Sequence, residues 1–247
     1  MKISIITCTY NQKKYLKETI ESVQKSVTSP LDIEYEHLIY DDGSTDGTPE
    51  LFVNHTWENI RYFRSDENKG GPSYGRNFLM EKAEGDYIFM IDHDDLILQR
   101  TLYNFTTSAI AHPNTEWFIG DFLRMDNDRR YLIGKDYYGW NFKSIEDMLT
   151  AIFKGEHFIQ SSVFFKKNIF SEAGGFDTHR PIDQDLDLFI RFLFLDYLPM
   201  RVPYITHIHR FHDSNLSNNI TTEDHLHLVD SLREKYSEEL IKRKIAL

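Results

Sequence analysis

The stretch GDYIFMIDHDD, residues 85–95, decides the fold. Tyr87 to Ile91 form an uncharged apolar run, which predicts a buried strand. The run ends abruptly in Asp92, His93, Asp94 and Asp95. Burying the strand fixes those last residues at the edge of a sheet. Carboxylates crowded there repel one another unless something positive sits among them. A divalent cation with oxygen ligands supplies that charge, and such a cation commonly holds a phosphate-bearing substrate. A solvated acidic turn is the plain alternative, and the flanking sequence must decide.

Upstream, residues 3–8 (ISIITC) form a β-branched run that predicts a strand, ending at Thr9, Tyr10 and Asn11. Leu16, Ile20, Val23 and Val27 then recur at helical spacing until Thr28-Ser29-Pro30 stops them. Residues 35–40 (YEHLIY) predict a second strand, closing in Asp41, Asp42 and Gly43. Residues 60–64 predict a third strand, and the loop NKGGPSYG at 68–75 leads into a helix. Strands alternating with helices are the βαβ rhythm of a mostly parallel α/β sheet. In such sheets ligands bind beyond the carboxyl ends of the strands, where Tyr10, Asp42 and Asp92–Asp95 all fall. No GxGxxG follows the first strand and no GxxxxGK[ST] occurs, so a glycine loop alone does not hold the phosphates.

Downstream the pattern is less regular. Helices are expected over 101–111, around 145–152, at 167–173 and over 183–196, with strands at 116–125, 158–165 and 199–206. One terminal amphipathic helix is expected from Thr222, carrying Leu226, Val229, Leu232, Tyr236 and Leu240. The expected organisation is a first half at 1–98, a second half of the same domain at 99–217, and the terminal helix at 218–247. A net charge of -11 excludes a broad grip on nucleic acid, which needs a basic face. Cys8 is the one cysteine, so no internal disulfide forms and a reducing, cytoplasmic setting is expected. No apolar stretch approaches the roughly 18 residues of a membrane span.

Seven segments, in this order, carry a resemblance: SIITCTYNQKKYLKETIESV, YDDGSTDGT, NKGGPSYGRN, GDYIFMIDHDD, GGFD, DQDLDLFIR and HRFHDSNLS. From residue 3 to about 217 the chain resembles the family 2 glycosyltransferases, inverting enzymes of GT-A fold that move a sugar from a nucleotide donor. The resemblance implies a Rossmann-like sheet flanked by helices and a Mn²⁺ or Mg²⁺ cofactor. It places Tyr10 beside a uracil, Asp42 as acceptor for the uracil's hydrogen bonds, and Arg76 near the diphosphate. Asp92 falls at the position of the ribose and metal-bound water, and Asp94 at that of the direct metal ligand. Asp95 is a further ligand or a supporting group. Asp185 corresponds to the general base, with Asp183 close enough to share that role. Gln184 stands where the family usually has Glu. Asp187 and Arg191 orient and support. His212, in the Arg210-x-His212 motif, approaches the metal or the diphosphate.

The expected donor is a UDP-sugar. The expected acceptor is a saccharide or lipid-linked oligosaccharide of cell-surface polysaccharide synthesis. A nucleotidyltransferase and a non-catalytic sugar- or partner-binding module are the competing functions. Residues 126–143 are read as a loop or lid in which Tyr137, Tyr138 and Trp140 stack a sugar or fill the core. The basic tail Lys242-Arg243-Lys244 is either solvated or in peripheral contact with the inner face of an anionic membrane.

Overall fold

The computed structural model describes residues 1–132, 142–155, 159–215 and 222–245. Its first half alternates strands and helices: β1 (Lys2–Thr9), α1 (Lys13–Gln24), β2 (Glu34–Asp41), α2 (Thr48–Asn54), β3 (Ile60–Arg64), α3 (Pro72–Lys82) and β4 (Tyr87–Met90). The second half adds β5 (Leu96–Ile97), α4 (Thr101–Ala111), β6 (Trp117–Met125), α5 (Ile145–Phe153), β7 (Val163–Lys166) and α6 (Lys167–Glu172). It continues with α7 (Gln184–Phe194), β8 (Met200–Arg210), α8 (Thr222–Lys235) and α9 (Ser237–Lys242).

All eight strands join one sheet in the order β3-β2-β1-β4-β7-β6-β8-β5. β3, β2, β1 and β4 are parallel, which the βαβ rhythm predicted. β7 inserts antiparallel between β4 and β6, while β6 and β8 are parallel. The carboxyl ends of β4 and β6 and the start of β7 therefore share one edge of the sheet.

Alternation along each strand divides the core. Ile6, Ile88, Met90, Val163 and Phe165 face α3, α5, α7 and α8 on one side. Ile3, Ile5, Tyr87, Phe89 and Phe164 face α4 on the other. Leu16 and Ile20 of α1 pack with Leu51 of α2 over Ile39. Each such fully buried aliphatic or aromatic side chain contributes about 1.5–3 kcal/mol by leaving water.

Four boundaries differ from the sequence reading. Val27 lies beyond the end of α1 and is exposed, because the helix stops before the turn at Lys25. The described part of the strand expected at 158–165 is pairing-competent only from Val163, and β8 runs past Thr206 to Arg210. The terminal helix is broken at Tyr236 into α8 and α9, with Leu226 exposed and Val229, Leu232 and Leu240 buried. Arg243 in the basic tail bonds inward to the Phe194 carbonyl and Asp196, at 2.8 Å each. No helix among the described residues is long and apolar enough to cross a membrane. Tyr137, Tyr138 and Trp140 lie outside the described residues.

Candidate active site

The acidic turn is pinned from three sides. The Ile91 amide donates to the Ile6 carbonyl at 3.2 Å, and the Thr7 hydroxyl donates to the Ile91 carbonyl at 3.0 Å. His93 Nδ1 lies 2.9 Å from the Cys8 carbonyl. From α1, Thr19 Oγ1 lies 2.8 Å from the carbonyl oxygens of both His93 and Asp95. The turn thus cannot splay into solvent, and Asp92, Asp94 and Asp95 each keep an oxygen within 4.8 Å of the others.

The three carboxylates have different neighbours. Asp94 is buried, and its Oδ2 lies 2.9 Å from His212 Nε2 while accepting from Asn215 Nδ2 at 2.8 Å. Burial opposes ionisation of Asp94, but the imidazoles of His93, His212 and His209 overcome it and hold the carboxyl below the usual range. Asp95 faces β8, where its Oδ1 accepts from the Arg210 amide at 3.0 Å and lies 3.2 Å from His209 Nδ1. Asp92 is the least buried of the three; its Oδ1 accepts from Arg76 Nη2 at 2.6 Å and its Oδ2 from the Ser161 hydroxyl. An anionic, buried carboxylate beside an imidazole is a donor set suited to a hard divalent cation, and Asp94 with His212 provides it.

His212 is oriented by its surroundings. Its ring stacks on Tyr15 at 4.4 Å, and Nδ1 lies 2.9 Å from the Ser214 hydroxyl. Arg210 is buried beneath it, donating from Nε to the Asp94 carbonyl at 2.8 Å and from Nη2 to Glu18 at 2.8 Å. The late Arg-x-His motif therefore comes to the acidic turn across 118 positions of sequence.

Beyond the end of β1, Tyr10 is 44% exposed, so it is a surface residue and not a core tyrosine. Asn11, at φ 51°, turns back so that its Oδ1 accepts from the Thr45 amide at 2.7 Å, tying Tyr10's loop to the loop after β2. Asp42 accepts the Lys69 amide with both oxygens at 3.0 Å. Asp41 is structural: it accepts from the Ser44 amide and the Tyr62 hydroxyl. Burial pushes the nearby Cys8 thiol up to about 12, which removes it as a nucleophile.

On the far side stands α7. Gly75 lets α3 press onto β1 and β2, since a Cβ there would lie 2.5 Å from Tyr40 and 2.8 Å from Cys8. That approach delivers Arg76, whose Nη1 donates to Gln184 Oε1 at 2.9 Å while Nη2 holds Asp92. Arg76 is thus fixed between the acidic turn and the start of α7. Asp185, next in sequence, accepts the Leu186 amide on Oδ1 at 2.9 Å as well as its own amide, and no side chain among the described residues donates to it. Burial and Asp92 raise its carboxyl above the usual range, although Arg76 pulls it down. Asp183 is occupied by Arg180 at 2.7 Å. Asp187 is fully buried and accepts from Arg191, Lys235 and Tyr236. Arg191 also donates to the Ala173 and Gly175 carbonyls, which clasps the GGFD turn. Ser161, Glu18 and Asn215 were not singled out by sequence reasoning; Asn215 lay inside a quoted motif, and Ser161 carried no local signal.

A family model described as Glycosyl transferase family 2 matches residues 4–173. The chain belongs to this family. Relatives of this family 2 protein include the poly(ribitol-phosphate) β-N-acetylglucosaminyltransferase TarS of Staphylococcus aureus. It is 35% identical over 103 residues, covering 41% of this chain and 18% of TarS. A GalNAc(5)-diNAcBac-PP-undecaprenol β-1,3-glucosyltransferase of Campylobacter jejuni is 28% identical over 172 residues, covering 67% of this chain and 52% of its own. The matches thus span about half or less of these relatives' length. Among solved structures, S. aureus TarS 1-349 in complex with UDP-GlcNAc superposes with a TM-score of 0.73 at 18% identity, covering 94% of this chain and 66% of that one. The mannosyltransferase PcManGT of Pyrobaculum calidifontis, in complex with GDP-Man and Mn²⁺, gives 0.62 at 18% identity, covering 87% and 59%. These neighbours are GT-A glycosyltransferases, and the mostly parallel sheet flanked by helices has that fold.

Proposed function

We propose that this family 2 protein is a metal-dependent inverting glycosyltransferase. It moves a sugar from a UDP-sugar to a saccharide or lipid-linked acceptor in cell-surface polysaccharide synthesis. The observation that carries the reading is the Asp94–His212 pair at 2.9 Å inside a three-carboxylate turn, joined through Asp92, Arg76 and Gln184 to the otherwise unpartnered edge of Asp185. The UDP-GlcNAc and Mn²⁺ of the two structural neighbours, and the lipid-linked substrate in the name of the Campylobacter relative, support it.

Tyr10 offers its ring to the flat face of the uracil, and Asp42 accepts the uracil N–H. Asp92 accepts from the ribose. A Mn²⁺ or Mg²⁺ held by Asp94 and His212 would supply the charge that neutralises the leaving diphosphate. Arg76, already bonded on two sides, contributes a fixed positive charge that need not reorganise during reaction. Asp185 takes the proton of the acceptor hydroxyl as that oxygen bonds to the anomeric carbon. The carbon–oxygen bond to the diphosphate breaks on the opposite face, so the configuration inverts.

UDP release from UDP-GlcNAc and UDP-glucose in Mn²⁺ tests this. Release by the wild-type protein that falls at least about 100-fold in Asp185→Asn is expected. Turnover of both variants Asp185→Asn and Asp94→Ala at the wild-type rate would overturn the reading.

A further inference from the structure

β6 and β8 do not pair evenly. Gly120 lies opposite Val202, Asp121 opposite Ile205 and Phe122 opposite His207, with register shifts on both sides of Asp121. The extra residues sit on β8, and a bulge of this kind re-aims the side chains that follow it. Gly120 allows the close approach, because a Cβ there would lie 2.2 Å from the Thr206 side chain. The result is a cavity of about 30 Å³ between the bulge and the segment leading into β7, lined among others by Asp121, Gln160, Ser162, Arg201 and His207.

Two features make this cavity more than a packing defect. Ser162 and His207 both line it, both residues are at least 98% buried, and Ser162 Oγ and His207 Nε2 have no hydrogen-bond partner among the described residues. Buried polar atoms are rarely left unsatisfied, and each exception requires an explanation. The His207 ring is held in place: it stacks on Phe122 at 5.2 Å, and its Nδ1 lies 3.2 Å from Thr206 Oγ1. Burial keeps it neutral, with a pKa of about 3, so Nε2 remains an uncharged hydrogen-bonding atom. The cavity's lining is linked to the candidate site through the chain. Ser162 follows Ser161, whose hydroxyl holds Asp92, and the segment lies at the sheet edge that carries the acidic turn.

We propose that this cavity is a sugar subsite that receives the hydroxymethyl arm of a hexose, with Ser162 and His207 as its hydrogen-bonding partners. The cavity is small and admits a short arm such as a carbon and its hydroxyl. A hydroxyl both donates and accepts, so it suits either orphaned atom. The proposal rests on the glycosyltransferase reading, and the arm belongs either to the donor sugar or to the acceptor.

The test uses Ser162→Ala and His207→Phe, with calorimetric binding of UDP and Mg²⁺ as the check that each variant folds. UDP release is measured first from UDP-glucose and UDP-6-deoxyglucose in water. It is then measured with whichever methyl glycoside of glucose, galactose or N-acetylglucosamine stimulates release, and with that glycoside's 6-deoxy analogue. Each variant is expected to lose about 10-fold or more in kcat/KM with the hydroxylated probe and nothing with its deoxy analogue. A loss already present in water assigns the arm to the donor; a loss that appears only with the glycoside assigns it to the acceptor. The melting temperature of Ser162→Ala should stay level or rise, since its hydroxyl has no partner to lose, whereas His207→Phe also gives up the Thr206 contact. Unchanged kinetics in every arm overturn the proposal, and a fall in the melting temperature of Ser162→Ala alongside them assigns the cavity to a structural water. Failure of the wild-type protein to bind UDP or release it is a distinct result, and sinks the glycosyltransferase reading instead.

Discussion

At the scale of single residues, the proposed chemistry rests on Asp185 and its neighbour Gln184. As general base, Asp185 would act only as a carboxylate. Burial and Asp92 raise its pKa, so turnover should disappear as pH falls through a value above the ordinary carboxylate range. Asp185→Asn should cost about 10²–10⁴ in kcat and leave UDP affinity within about twofold, read by steady-state kinetics and titration side by side. Gln184 makes a separate prediction. The charged groups that face Asp185 are Arg76 from α3 and Asp92 from the end of β4. Gln184 shares Arg76 with Asp92 without adding charge of its own. Gln184→Glu puts another carboxylate beside that guanidinium and should shift the acid limb of the kcat/KM profile to higher pH. An unmoved limb would show that Gln184 does not tune the base. Asp185 stood out in the sequence because it sits in a dense local motif. The grip of Arg76 on Gln184 and of Ser161 on Asp92 was not, because those partners are 108 and 69 positions apart and leave no local pattern.

At the scale of elements, α7 is held in register by the helix that follows it at a distance. Asp187 is fully buried, and Lys235 and Tyr236 reach it from the end of α8 at 2.6 and 2.8 Å. Tyr236→Phe removes a hydrogen bond to a charged acceptor and should cost about 1.5–3 kcal/mol in urea unfolding. No change in the unfolding midpoint would mean that α8 does not brace α7. The same residue explains why the sequence pattern predicts one terminal helix where the fold has two. Leu232, Tyr236 and Leu240 keep one apolar stripe, but a stripe does not reveal a one-residue break in the backbone. β8 is longer than its pattern suggests for a related reason. His207, His209 and Arg210 look like a polar exit from a strand, yet all three are buried, with partners on β4's acidic turn or within the sheet.

At the scale of the whole molecule, the parallel half could be read from the chain because each strand is followed by its own helix. The insertion of β7 between β4 and β6 could not, since antiparallel pairing between strands about 75 residues apart has no sequence periodicity. That insertion closes the edge on which the nucleotide side and α7 meet. The whole-chain charge of -11 gives the account a further consequence. An anionic nucleotide approaching an anionic protein needs a counter-charge at the point of contact, and repulsion between unpaired charges is strongest at low salt. The central claim is that the acidic turn supplies that point through a cation. Its most direct test is calorimetric titration of UDP into the wild-type protein and Asp94→Ala, each with and without Mn²⁺. The account predicts binding by the wild-type protein in Mn²⁺, little or none without it, and loss of the metal-dependent part in Asp94→Ala. Equal affinity with and without Mn²⁺, or full metal-dependent binding retained by Asp94→Ala, would contradict it.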